Sequence, residues 1–274
     1  MNLQSETIKL APEQSVLARK RLKKAAQILF VVAVIGQMMF VYHIVSFYGG
    51  TTLAGETDTW NDQLMNGLIE GDLWGNIALI VHLILAAVIT FGGPLQFVAP
   101  LRKRFPIFHR WNGRLYVVTA ILISLAGLYM IFARGVIGGK IMAAGNVINA
   151  SMIIFFAIKM WHTAAVKRDF VAHKRWALRT FLVVSGVWFF RIGYGLWIAV
   201  SFGNPSGVEE DLTGYFDRFL AFAHALLPLA ILELYFWVKH RNQALEMYGM
   251  MSILGVLSIA LAVGIGMAAM IFWI

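Results

Sequence analysis

The chain has 274 residues, of which 59% are hydrophobic and only 14% charged, with a formal net charge of +9 and no cysteine. One soluble core of this size cannot hide so much apolar side chain, and a soluble domain carries about a quarter charged residues. The lack of cysteine excludes disulfides, thiolate metal sites, iron–sulfur clusters and covalent c-type haem attachment.

Hydrophobic runs of the length that crosses a bilayer, about 20 residues, recur along the chain. They predict spans at 26–48, 73–99, 113–134, 144–166, 176–201, 217–239 and 251–274. The expected fold is all-α, a polytopic membrane bundle of about seven transmembrane helices, because helices satisfy their own backbone hydrogen bonds in lipid. Residues 1–25 form a basic segment ending in Arg19, Lys20, Arg21, Lys23 and Lys24, and 26–274 a single transmembrane domain. The first span is longer than a signal-peptide core and reads as a retained anchor, with cleavage near Ala54 as the alternative. The acidic stretch Gly49 to Asp72, containing Trp60, reads as a solvated loop. In the second span, Phe91-Gly92-Gly93-Pro94-Leu95-Gln96-Phe97 predicts a kink, since proline removes a backbone donor. Ala260, Gly264 and Ala268 in the last span make a small-residue stripe for close packing.

Lysine and arginine crowd alternate loops: Arg102, Lys103, Arg104, Arg110 and Arg114 after the second span, Lys167, Arg168, Lys174, Arg175 and Arg179 after the fourth, Lys239 and Arg241 after the sixth. This asymmetry predicts a cytoplasmic amino terminus, an external carboxyl terminus and a place in the cell's inner, cytoplasmic membrane. It also argues against nucleic acid as a partner, because the positive charge serves orientation. The lipid bilayer is the expected partner.

Ionisable groups inside spans mark cavities, partners or cofactors. His82 and His224 fall at matched depths, about 13 and 10 Å below the same face at 1.5 Å per residue. Arg191 lies about 15 Å deep and Tyr194 follows it on a similar helical face. Two imidazoles at one depth are what axial ligation of a b-type haem iron requires, with Arg191 beside a propionate. The alternatives are packing histidines or a polar cavity. At the basic end, His109, Arg114, His162, His173 and Arg179 form a second candidate cluster, for a further cofactor or as an interfacial girdle binding anionic headgroups. Lys159 and Glu233, at similar depth, are expected to pair.

Phe108-His109-Arg110-Trp111-Asn112-Gly113-Arg114 and Ala172-His173-Lys174-Arg175-Trp176-Ala177-Leu178-Arg179 look like two copies of one loop, each leading into a span of the same direction. Together with Gly93-Pro94-Leu95-Gln96-Phe97 and Arg168-Asp169-Phe170, they make the chain resemble the bacterial predicted-membrane-protein family known as domain of unknown function 2306, over a core of about 73–240. Lys174-Arg175-Trp176-Ala177 departs mildly from the family's common Arg-Arg-Trp-Met. The resemblance implies a multi-pass membrane protein with no activity to carry over, and it favours His109, Arg114, His173 and Arg179 as site residues.

The leading functional expectation is a bis-histidine haem b protein passing electrons between a membrane quinol and a partner. The alternatives are a non-redox transporter or lipid-binding protein using Arg191, His82 and Gln96 along a polar cavity, and a membrane assembly factor.

Overall fold

The computed structural model describes residues 12–64 and 67–273, so the first part of the predicted basic segment lies outside the described residues. Eight long helices carry the fold. They are α1 (Pro12–His43), α2 (Leu73–Leu95), α3 (Pro106–Arg134), α4 (Gly139–Ala165), α5 (Phe170–Val184), α6 (Gly186–Val200), α7 (Tyr215–Arg241) and α8 (Ala244–Ala268). Six segments are long and apolar enough to cross a membrane singly, and α5 with α6 makes a seventh, bent by 55°. The expectation of an all-helical bundle of about seven spans is therefore met, with six to seven candidate spans.

Local chemistry fixes the ends. The Asp72 side chain accepts the Gly75 N–H at the start of α2, and Asp169 accepts those of Val171 and Ala172 at the start of α5. Pro106 opens α3, where its missing N–H costs nothing, and Gly135 closes it with φ +76°. Asn242 closes α7 in the left-handed region at φ 58°. Ser185 separates α5 from α6, and a Ser-Gly pair is a recognised source of sharp kinks.

Helices α3 and α5 begin at Pro106 and Phe170 instead of 113 and 176, and two further boundaries differ from expectation. Helix α1 runs through the basic cluster, and α8 begins at Ala244 instead of 251. The reason is packing that hydropathy does not register: Ala18 and Leu22 are buried against Val238, Ala244, Met247 and Met250. There Arg19 Nη2 donates to Asn242 Oδ1 at 2.7 Å. Helix α1 also continues past His43 as a π-helical turn, Ile44–Gly49, and α8 as another, Ala269–Trp273. The two meet where Trp273 carbonyl lies 3.3 Å from His43 Nδ1.

The helices close a ring. Helix α2 packs on α3, α3 on α4, α4 on α5, α6 on α8, α8 on α1, and α1 returns to α2. Helix α7 lies against α4, α5 and α6. Where Gly145 faces the Ala221 carbonyl, α4 and α7 approach so closely that a Cβ would clash.

At the acid-rich end, Arg134 ties α3 to α2. Its Nε donates to Asp72 Oδ2 at 2.7 Å, Nη2 to Asn76 Oδ1 at 2.7 Å and Nη1 to the Gly67 carbonyl at 3.1 Å. The Asp72 carboxyl is held below its ordinary range, first by the Gly75 N–H and then by Arg134. A depressed carboxyl adds stability that is complete above the unfolded value of about 3.9 and disappears as pH falls through the folded value. Melts of the detergent-solubilised protein should therefore lose stability below about pH 4, and Asp72→Asn should lower the neutral-pH melting point while flattening that acid limb. An unchanged acid limb would reject this account.

Candidate functional site

A cavity of about 360 Å³ lies inside the ring. Its wall comes from α1 through α6, with Leu64, Gly135 and Val136 at the acid-rich end and Tyr116 and Phe181 deeper in the bundle. No residue of α7 or α8 lines it. The size falls within the range of small-molecule sites, about 300–1,000 Å³.

Aliphatic residues such as Leu79, Leu83, Ile89 and Ile153 make most of the wall, and a few polar groups converge on it. Arg191 is the cation. Its guanidinium carbon sits 5.2 Å from the Phe40 ring centre, and among the described residues no carboxylate pairs with it. It lies close enough to His43, Tyr48 and His82, all on the same wall, to act on each electrostatically. The His82 ring faces α3, where its Cε1 would stand 3.6 Å from a Cβ on Gly127.

Several lining groups are buried with a polar atom unpartnered: Gln37 Oε1, His82 Nδ1, Tyr116 hydroxyl, Asn149 Oδ1 and Trp188 Nε1. Such a concentration is unusual, because buried polar atoms are nearly always bonded to protein or water. Gln37 Nε2 donates to Ser185 Oγ at 2.9 Å, which joins α1 to the bend. Pro94 leaves the carbonyl of Thr90, another lining residue, without its helical donor.

The expected site residues separate. His82 and Arg191 line the cavity together; His224 does not. Its Nδ1 lies 3.0 Å from the Leu220 carbonyl on its own helix, and its ring stands edge-on to Phe190. It borders the start of α6 next to a lining residue: a Cβ on Gly186 would sit 2.9 Å from His224 Cδ2 and 2.7 Å from Nδ2 of Asn149, which lines the cavity. Gly186→Ala is therefore expected to lower stability by about 1–3 kcal/mol through overpacking, measured as a melting shift; a neutral result would show that α7 yields easily. Tyr194 also misses the cavity. Its hydroxyl donates to Asp217 Oδ1 at 2.5 Å, a structural bond within the acid-rich end. Among the described residues no three His, Asp or Glu side chains group as a metal site.

The basic-end cluster is brought together in part. His109 lies within electrostatic reach of Arg102 and His173, and His173 Nδ1 lies 3.0 Å from the Met160 carbonyl. The two loop copies repeat one contact: Arg114 stacks on Trp111 at 4.8 Å and Arg179 on Trp176 at 4.7 Å. His162 ends α4, where its carbonyl accepts the N–H groups of Val166 and Lys167.

The expected Lys159–Glu233 pair does not form. Glu233 takes a bidentate pair from Arg179 at 2.6 and 2.8 Å, while Lys159 lies over the Phe155 ring. The planar guanidinium fork matches a carboxylate better than an ammonium does, and Lys159 lies on an exposed face of α4.

Sequence reasoning missed Gln37, Tyr48, Asn146, Asn149 and Ser185 as cavity residues. Asn146 and Asn149, three apart within an apolar run, were a readable sign of a polar stripe.

Six to seven apolar spans, five of which enclose a mostly apolar cavity with a few polar groups, define a multi-pass helical membrane protein. The chain belongs to the family of predicted membrane proteins described by domain of unknown function 2306, whose family model matches residues 79–237. A search of curated proteins found no match, and neither did a search of solved structures. The matched stretch includes the Gly92-Gly93-Pro94 break, and Asn112 Nδ2 donates to the Gly92 carbonyl at 2.9 Å, so the resembling motifs on α2 and α3 engage each other.

Proposed function

We propose that the protein holds an amphipathic molecule with an anionic head in this cavity, as a transporter or lipid-binding protein. The head would meet Arg191, with His43 and His82 as secondary donors, and the apolar body would lie along Leu79, Leu83 and Ile89. One observation carries the reading: a cation stands in an intramembrane cavity with no carboxylate partner among the described residues. Such a charge costs about 2.5–3.5 kcal/mol on an insertion scale, and a bound anion would offset it. The five unpartnered polar atoms around it supply further ligand contacts.

Electron transfer through a bis-histidine haem b is the less favoured reading, because His82 lines the cavity and His224 is not among its lining residues. The cytoplasmic membrane, with the basic end inward, is the setting expected from charge asymmetry.

Native mass spectrometry of protein extracted in mild detergent tests the proposal, alongside a visible spectrum. The expected result is a co-purifying acidic molecule that is lost in Arg191→Met, with no visible band. A split absorption band on dithionite reduction that disappears in His82→Ala and His224→Ala would overturn it in favour of haem.

A further inference from the structure

The cavity reaches one end of the bundle and is stopped short of the other. Tyr116 and Phe181 form its deep wall, and both crowd Gly93, whose Cβ would lie 3.0 Å from Tyr116 Cε2 and 3.3 Å from Phe181 Cδ2. Behind them Phe30, Phe97 and Phe181 pack as a triad, with ring centres 5.2 Å (Phe97–Phe181), 6.0 Å (Phe30–Phe97) and 6.3 Å (Phe30–Phe181) apart. Three elements meet in this plug: α1, the segment after α2, and α5. Next to Phe97, the Gln96 Nε2 is again buried without a partner, as is His109 Nδ1 on α3. Unpartnered polar atoms thus stand on both sides of an aromatic barrier.

The barrier also sits on breakable backbone. Phe181 lies four residues before Ser185, whose hydroxyl donates to the Phe181 carbonyl at the 55° bend. Phe97 lies two residues past the end of α2 at Leu95, just after Gly92-Gly93-Pro94 in its last turn. Broken helices at a central site are a recurrent feature of transporters that open alternately to either side. We propose that the Phe30–Phe97–Phe181 triad is a gate, and that the protein carries the anionic ligand of the cavity through it toward Gln96 and the basic end. This rests on the reading of the cavity as a ligand site.

The lack of native cysteine makes the test direct. Ser124→Cys places one thiol in the cavity wall. Its reaction with a charged, membrane-impermeant methanethiosulfonate is followed from each face of oriented membrane vesicles, and needs no knowledge of the ligand. A gate predicts reaction from both faces in the otherwise unaltered protein, with the basic-face rate rising at least tenfold in Phe181→Ala or, should that variant fold poorly, in Phe97→Ala. A fixed seal gives reaction from the acid-rich face alone, and that result would overturn the proposal. Absence of any co-purifying acid from the unaltered protein, with two-faced reaction intact, would instead reject the ligand assignment and leave the gate standing.

Discussion

Arg191→Met is expected to abolish ligand retention while raising the melting temperature of the ligand-free protein. A charge-assisted hydrogen bond contributes about 1.5–3 kcal/mol, so affinity for the co-purifying acid should fall by roughly 10- to 100-fold. The opposite change in stability follows from the same side chain. No carboxylate among the described residues neutralises Arg191, and methionine replaces its aliphatic stem without the charge. Delipidated protein followed by thermal scanning should therefore show the variant melting several degrees higher, and added ligand should stabilise only the parent. Arg191→Lys separates charge from geometry: it retains the cation but loses the fork, and an intermediate affinity is expected. If Arg191→Met retained the full bound mass, the cavity reading would fail.

The largest loss of stability is expected at Asp217. This carboxylate is fully buried and accepts three bonds, from the Tyr194 hydroxyl, the Glu209 N–H at 3.0 Å and the Gly214 N–H at 2.9 Å. It also stands in the first turn of α7, where negative charge complements the helix dipole. Asp217→Ala strands those donors together and is expected to cost about 3–5 kcal/mol, whereas Tyr194→Phe removes a single bond and should cost about 1–3 kcal/mol. Melting temperatures in one detergent give the comparison. Equal damage from both variants would mean that the tyrosine, and not the carboxylate, organises the 201–217 turn.

Hydropathy made the spans readable because each must cover a bilayer with apolar side chains, and most do so in one uninterrupted helix. The Ser185 break escaped notice since a Ser-Gly pair changes hydropathy little, yet it bends the fifth span by 55°. Arg191 and His82 were recognisable as ionisable groups inside apolar runs. Their grouping with His224 was not, because depth along a helix gives one coordinate and leaves the direction around it open. His82 lines the cavity, and His224 is not among its lining residues. The same ambiguity misled the pairing of Lys159 with Glu233, since Arg179 was nearer around the axis. The matched family stretch contains both residues of the α2–α3 contact, Asn112 and Gly92, but a linear motif says neither that they meet nor that a cavity lies on the far side of Tyr116.

Helices α1 and α8 run parallel and pack on each other more extensively than α1 does on α2. Both lie largely or wholly outside the matched 79–237 stretch, yet α1 contributes Gln37, Phe40, His43, Ile44 and Tyr48 to the wall. Helix α1, made before this stretch, meets α8, made after it, only once the residues between them have been synthesised. A nascent chain stalled before residue 244 should hold the first span loosely, exposing His43 and Tyr48 to the acyl chains they are later shielded from.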